Sequence, residues 1–351
     1  MDKRILRGHV MKLSFKTIRG KTRLINPLKG FTLDEIPYEI RFDPLTGETG
    51  RVFDFPFIPD MPDLTGTVHR SREIFCPFCP ETLEKSTPLF PEDLIPEGRI
   101  TVGEATLIPN LVPFDKYAGV SIFSREHYIP IENLTPETMH DAFAAALTFI
   151  KRVADQDPLV NVFSINWNYL PPAGSSMVHP HLQPNCGEVP TNELRVQLEA
   201  CKRYRTENGN SFWQDYVETE KATGERYIGE IDSTFWMMSF VPLGFLPDVC
   251  CVFGNHSSLA QIGEAELKPF LTGLSKTLRY FSQHNIFSFN VSIFSVRENQ
   301  DFRINARICP RLFPRAIGNN DMAYLQVLHK EPFTVRRPES LCEEVRKEFI
   351  G

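Results

Sequence analysis

Residues 105 to 290 spell one pattern twice. Ala105-Thr106-Leu107-Ile108 and Gly119-Val120-Ser121-Ile122-Phe123 are β-branched and apolar runs that read as strands, the second ending near His127. Thr135-Pro136 starts a helix, with the hydroxyl as cap and proline in the first turn, and Met139, Phe143, Leu147 and Ile150 follow at helical spacing. Leu159 to Asn166 is then a strand. The second copy runs through strands at Trp236–Pro242 and Val249–Phe253, with His256 placed as His127 is. A helix carries Leu267, Phe270, Leu271, Leu274 and Leu278, and Phe287-Ser288-Phe289-Asn290 echoes Phe163-Ser164-Ile165-Asn166. Such a chain is a duplicated α+β unit.

Its 351 residues suffice for two domains of ordinary size, drawn here as 1–190 and 191–351. A hydrophobic content of 42%, a charged content of 23% and no run of about eighteen apolar residues describe a globular chain without a membrane span. The net charge of −6 supplies no basic surplus for a phosphate backbone, which excludes nucleic acid as the main partner but not small anions. Eight cysteines are too sparse for a disulfide scaffold, and no secretory leader precedes them, so a reducing, cytoplasmic setting is expected. Cys186, Cys201, Cys309 and Cys342 read as buried or idle thiols, and Cys250-Cys251 as part of an apolar strand.

Residues 1 to 24 hold eight Lys or Arg against Asp2 alone, so this arm carries +7 and the remainder −13. A solvated or subunit-exchanging arm is the expectation; a presequence or phosphate-reaching arm is the alternative. The chain from Pro56 to Pro62 reads as a loop, and from Cys79 to Arg99 four prolines keep it loop-like, so regular structure is expected from Arg99 onward. Pro338 to Phe349 reads as a closing helix, with Ser340 and Glu343 as a capping box and Leu341, Val345 and Phe349 along one face.

The chemistry concentrates in Asn168–Gln183, which ends His179-Pro180-His181-Leu182-Gln183. On a strand, period two puts His179, His181 and Gln183 on one face. An isolated His-x-His is also what chance alternation on a solvated face produces. Ahead of the pair lies Ala173-Gly174-Ser175-Ser176, small residues whose backbone N–H groups and hydroxyls can approach an anion closely. Upstream, Cys76-Pro77-Phe78-Cys79 has the knuckle spacing with which two thiolates hold one zinc; a metal-free thiol pair is its other reading.

These segments, together with Arg41-Phe42-Asp43-Pro44-Leu45-Thr46-Gly47, Thr87-Pro88 and Pro109-Asn110, resemble in order and spacing the galactose-1-phosphate uridylyltransferase family. That family is the transferase branch of the histidine-triad superfamily. The resemblance implies a duplicated histidine-triad-like unit, an antiparallel half-barrel sheet with helices packed on it. Its first half would be catalytic and zinc-binding and its second a degenerate partner, without His-x-His-x-Gln or Cys-x-x-Cys. A homodimer is the family habit.

The resemblance further implies that Cys76, Cys79, His127 and His179 hold a structural zinc, or iron in its place. With His179 so engaged, His181 is the nucleophile that carries a nucleotide covalently, and the carbonyl of His179 fixes its tautomer. Gln183 stands where transferases of the superfamily have glutamine and hydrolases a third histidine; its amide donates to a phosphate oxygen without acting as an acid. Asn168, Ser176 and, more weakly, Ser175 match phosphate contacts, Asn110 a ribose contact and Phe78 a wall against the base. The stretch Phe55 to Asp60 lacks the arginines that the family carries after Pro-Leu-Thr-Gly, and Tyr324-Leu325-Gln326 is the nearest match to its hexose-recognition motif. Expected substrates are a nucleotide-sugar, or another nucleoside diphosphate compound, and a phosphate acceptor. Three functions follow: a nucleotidyltransferase acting on a sugar-1-phosphate, a phosphorylase of NDP-sugars, dinucleoside polyphosphates or adenylyl sulfate, and a zinc-stabilised nucleotide-binding protein without turnover.

Overall fold

The computed structural model describes residues 5–6, 9–10, 13–57, 59, 61, 63–314 and 319–350. In chain order its first elements are β1 (Ile5–Leu6), β2 (His9–Val10), β3 (Thr17–Asn26), β4 (Thr32–Phe42), β5 (Thr49–Val52), α1 (Leu64–Glu73) and α2 (Pro80–Ser86). The first repeat comprises β6 (Ile100–Val102), β7 (Ala105–Pro109), β8 (Tyr117–Ile122), α3 (Pro136–Gln156), β9 (Val162–Tyr169) and β10 (His181–Gly187). Two helices follow, α4 (Asn192–Asn208) and α5 (Phe212–Thr223). The second repeat comprises β11 (Tyr227–Ile231), β12 (Thr234–Met238), β13 (Val249–Phe253), α6 (Glu264–Gln283), β14 (Ser288–Val296) and β15 (Asn305–Arg311). The chain closes with α7 (Tyr324–Leu328), β16 (Phe333–Thr334) and α8 (Pro338–Ile350).

Ten strands form one open sheet in the order β6-β7-β8-β10-β9-β14-β15-β13-β12-β11, not closed into a barrel. Both repeats use the same internal order, and their inner edges β9 and β14 pair antiparallel from Val162↔Val296 to Tyr169↔Phe289. The duplication read in the sequence is therefore the architecture. A four-stranded sheet, β16-β5-β4-β3, lies apart from it. Arg41 ties that second sheet down: its guanidinium bonds Glu39, both carboxylate oxygens of Glu339 on α8 and the carbonyl of Phe240. Asp43 folds the following turn by accepting from the backbone of Leu45 and Thr46, and Gly47 completes it at φ +80°.

Alternation divides the large sheet into two faces. Along β9, Phe163, Ile165, Trp167 and Tyr169 are buried, while Ser164, Asn166 and Asn168 are half-buried on the other side. Helices α3 and α6 pack on the apolar face, and one core joins Phe143, Trp167, Trp236, Phe270 and Phe289 from both repeats. The opposite face is treated unequally. Over the second repeat, residues of α4 and α5 bury Met237, Cys250 and Val252. Over the first, Phe78 and Leu83 pack on Ile108, Val120 and Ile122.

Several elements depart from expectation. Regular structure starts well before Arg99, and α2 occupies part of the stretch read as loop. Pro80 is its first residue, where a missing N–H costs nothing, and Pro88 falls beyond its end. Helix α1 escapes the sequence pattern because it buries no residue fully and only Leu64 and Val68, one turn apart, reach the core; Asp63 caps it by accepting from the N–H of Gly66. Helices α4 and α5 also went unread, although Thr191 caps the first and Gly209 and Gly224 end them. The strand expected at 159–166 lies at 162–169, and β10 begins at His181 rather than His179. The capping box at Ser340 is absent: α8 starts at Pro338, so Ser340 lies inside the first turn. Of the basic arm, Lys3, Arg4, Arg7 and Lys12 lie outside the described residues, whereas Thr17 onward is not an arm but a strand paired with β4.

Candidate active site and metal centre

The knuckle Cys76–Cys79 is held closed by Thr82, whose hydroxyl donates to the carbonyls of Cys76 and Cys79 at 2.6 and 2.9 Å. Opposite stand His127, from the loop after β8, and His179, just ahead of β10, where the N–H of Phe123 bonds the carbonyl of Pro180. The Cys79 Sγ lies 3.2 Å from Nδ1 of His127, and both sulfurs lie 3.8 Å from Nδ1 of His179. One ligand atom from each of the four residues falls within 4.8 Å of all the others.

Hydrogen bonds fix which nitrogen each ring presents. The Nε2 of His179 is 3.0 Å from the carbonyl of Ser124, which can only accept, so Nε2 carries the proton and Nδ1 the lone pair. The Ser71 hydroxyl gives its single proton to the carbonyl of Val68 at 2.7 Å and therefore accepts from Nε2 of His127 at 2.9 Å. Both imidazoles thus offer Nδ1 to the thiols. Burial holds His179 neutral down to about 4, and burial, then the charge of Arg72, lowers His127. Burial and the adjacent Cys76 thiol push Cys79 up to about 12. Two thiols and two neutral imidazoles in tetrahedral reach are a donor set that a zinc-like cation fits, and that cation would hold the sulfurs as thiolates.

The third histidine is turned the other way. Nδ1 of His181 lies 2.8 Å from the carbonyl of His179, so it is the protonated nitrogen and Nε2 keeps the lone pair. Burial lowers its pKa. The ring centroid of Phe78 is 5.2 Å from that of His181 and 6.1 Å from that of His179. His179 and His181 therefore share a side, as the period-two spacing predicts.

The remaining candidates fall in graded positions. Gln183 shares the sheet face of His181, pairs with Asn166 across β9, and its carboxamide has no hydrogen-bond partner among the described residues. Carried two residues past that pair, the register would bring His181 opposite Asn168. Ser176 is exposed, while the Ser175 hydroxyl is spent on the carbonyl of Met177 at 2.6 Å. Asn110 sits at the end of β7 and accepts from the N–H of Val112. No hydrogen bond joins Asn110 or Ser176 to the histidines among the described residues. Tyr324 and Gln326 fall on the single-turn α7, with Tyr324 exposed.

Reading the residues alone missed three participants. Ser71 was invisible because α1 was. Leu170 takes φ +67°, a strained backbone for a branched residue, where the chain turns from β9 into the small-residue loop. Asn290, across β14 from Asn168, was seen only as an echo in the repeat.

Comparisons place these features among known proteins. A protein of Archaeoglobus fulgidus with no assigned function is 33% identical over 331 residues, 94% of this chain and 98% of its own. No family model matches the chain. Among solved structures, a GalT-like protein of Arabidopsis thaliana superimposes with a TM-score of 0.66 at 18% identity, covering 88% of this chain and 98% of the other. An ADP-glucose phosphorylase of the same plant, with ADP-glucose bound, gives 0.65 at 17% with the same coverage. A uridylyltransferase gives 0.64 at 18%, covering 89% and 98%. At these identities the likeness is one of fold.

Proposed function

Because this chain belongs by sequence to one family with the Archaeoglobus protein, and by fold to the galactose-1-phosphate uridylyltransferase-like branch of the histidine-triad superfamily, we propose that it is a nucleotidyltransferase. The donor is a nucleotide-sugar or related nucleoside diphosphate compound, and the acceptor a sugar-1-phosphate. The observation that carries this reading is the His181 Nδ1 bond to the carbonyl of His179, which leaves Nε2 unprotonated for attack.

Nε2 forms a bond to the α-phosphorus as the bond from that phosphorus to the bridging oxygen breaks, and the distal phosphate departs with the electron pair. The His179 carbonyl keeps the Nδ1 proton and stabilises the positive charge of the nucleotidyl-imidazole. An oxygen of the acceptor phosphate then attacks the same phosphorus and the N–P bond breaks, regenerating neutral His181. Gln183 and Asn168 donate amide protons to the non-bridging oxygens, with Ser176 and Ser175 in the adjoining loop. Phe78 walls the base and Asn110 meets the ribose. Cys76, Cys79, His127 and His179 hold a structural zinc, which pins the knuckle to the segment that presents His181.

A phosphorylase is the second reading. It is favoured by the stretch Phe55 to Asp60, which lacks the arginines with which uridylyltransferases reach phosphate across the dimer. The fold shared with the ADP-glucose phosphorylase supports it.

The test is incubation with α-labelled UDP-glucose, ADP-glucose, adenylyl sulfate or diadenosine polyphosphate. An acid-labile, base-stable label should appear on the chain with at least one donor and never on His181→Ala. Release of that label by inorganic phosphate alone selects the phosphorylase, and release by sugar-1-phosphate the transferase. Wild-type protein that takes no label from any donor refutes both.

A further inference from the structure

The second repeat carries no histidine pair, yet it reaches into the first. A chain of hydrogen bonds crosses the seam between β14 and β9. Asp321, almost wholly buried, accepts from Nε and Nη2 of Arg311 at 3.0 and 2.7 Å and from the N–H of Leu312. Nη1 of Arg311 lies 2.7 Å from Oδ1 of Asn290. Nδ2 of Asn290 lies 2.6 Å from Oδ1 of Asn168 and 2.9 Å from the carbonyl of Ala173.

The polarity of this chain is dictated by chemistry. A guanidinium can only donate, so the Asn290 atom facing Arg311 is its oxygen. A peptide carbonyl can only accept, so the atom facing Ala173 is the nitrogen, an independent constraint with the same answer. Asn168 must then present its oxygen to Asn290, which leaves its two Nδ2 protons for the other side. That side is the row of His181, which the β10–β9 register would bring opposite Asn168 if carried two residues past the Gln183–Asn166 pair.

We propose that Asn290 and Arg311 are positioning residues that lock the Asn168 carboxamide with its amide protons toward the reacting phosphate. The inference rests on the nucleotidyl-transfer reading, because it assigns Asn168 a phosphate partner. Unaided, the carboxamide could turn over and aim its oxygen at the phosphate, replacing attraction with repulsion. The repeat without the catalytic pair thereby supplies the direction of a catalytic hydrogen bond. The same Asn290 amide anchors Ala173, at the start of the loop that carries Ser175 and Ser176.

Asn290→Asp is the decisive variant. The carboxylate keeps the shape and the acceptor for Arg311 but cannot donate, so Asn168 turns its own Nδ2 toward it and faces the phosphate with Oδ1. Single-turnover label formation is expected to fall about 10²-fold, while donor KM stays within about threefold. Arg311→Met leaves the Ala173 carbonyl as the remaining guide for Asn290 and should cost about tenfold. In an Asn168→Ala background the Asn290→Asp change should cost far less than in wild type, its remaining effect being the lost bond to the Ala173 carbonyl.

Wild-type rates in Asn290→Asp, or effects of the two substitutions that multiply, overturn the proposal while leaving nucleotidyl transfer intact. Wild-type rates in Arg311→Met overturn the part assigned to Arg311. Should wild type take no label, the transfer reading fails by itself, and the same cycle is measured by calorimetry with UMP and AMP. Weakening by Asn290→Asp that mostly vanishes in Asn168→Ala then supports the lock; additive weakening, or none, overturns it.

Discussion

Removing the Ser71 hydroxyl should loosen a metal that Ser71 does not touch. Its one proton is committed to the carbonyl of Val68, so toward His127 it can only accept. That bond keeps the proton on Nε2 and the lone pair on Nδ1, the atom 3.2 Å from Cys79 Sγ. In Ser71→Ala the Nε2–H of a buried ring loses its acceptor, and the ring is free to exchange tautomers and to rotate. Loss of such an outer partner costs about 10- to 100-fold in metal affinity, or about 1.4–2.8 kcal/mol. Competition for zinc against a chromophoric chelator at fixed pH reads this directly. Ser71→Thr, which keeps the hydroxyl, should bind as wild type does, and His127→Ala should fall well below Ser71→Ala. Equal affinities for wild type and Ser71→Ala, with His127→Ala strongly weakened, would refute the tautomer argument while leaving the ligand set standing.

Metal analysis should give about one zinc per chain, and Cys76→Ser should lose both the metal and thermal stability, since binding free energy at such a site is folding free energy. A metal-free wild type as stable as a zinc-loaded one contradicts the site. Burial alone would raise the Glu339 carboxyl, but Arg41 and Arg226 overcome it and hold it at about 2. A carboxylate lowered from 4.5 to about 2 contributes about 3 kcal/mol that is present above pH 4.5 and lost as pH falls toward 2. Urea midpoints of wild type should therefore drop through that window, and those of Glu339→Gln should start lower and drop less; parallel curves contradict the assignment. A Cβ on Gly273 would stand 2.2 Å from the Trp236 ring, so Gly273→Ala forces α6 off the sheet. It should cost about 1–3 kcal/mol despite the better helix propensity of alanine, and unchanged denaturant stability would show that the helix can shift freely.

What was legible in the sequence follows from which signals are local. Thr135 and Pro136 announce α3 because cap and first-turn proline act within one turn, and Val249 to Phe253 announce β13 because five apolar residues in a row leave little else. His179 and His181 both meet the Phe78 ring although His179 lies on a bend before β10, and the Cys76–Cys79 spacing prefigures the knuckle. What stayed hidden is relational. Helix α1 offers only Leu64 and Val68 to the core, too short an apolar stripe to betray a helix in the sequence, yet it delivers Ser71 to His127. Pro80 looked like a breaker because its use as a first helical residue depends on what comes after. The pairing of Asn290 with Asn168 depends on a register between strands more than a hundred residues apart, which no window of sequence contains.

Under the proposed reading, that register also bears on why only one repeat would be catalytic. Across the seam, one row of neighbours runs Gln183, Asn166, Ser292, Arg307, and the next runs Asn168, Asn290, Cys309, reaching His181 when the β10–β9 register is carried two residues further. The internal two-fold exchanges the rows end for end, so His181 corresponds to Arg307 and Gln183 to Cys309. Arg307 sits 2.8 Å from the fully buried Asp248, and its guanidinium has no lone pair to offer a phosphorus where His181 has one. The face around it is buried beneath α4 and α5, whereas the corresponding face of the first repeat meets Phe78 and the knuckle. Had the second repeat been lost, β9 would present an unpaired edge at Asn168, the residue that most needs a fixed orientation. A second repeat without a histidine pair therefore has a physical rationale on both counts: it closes the edge of β9, and its Asn290 donates to the Asn168 oxygen.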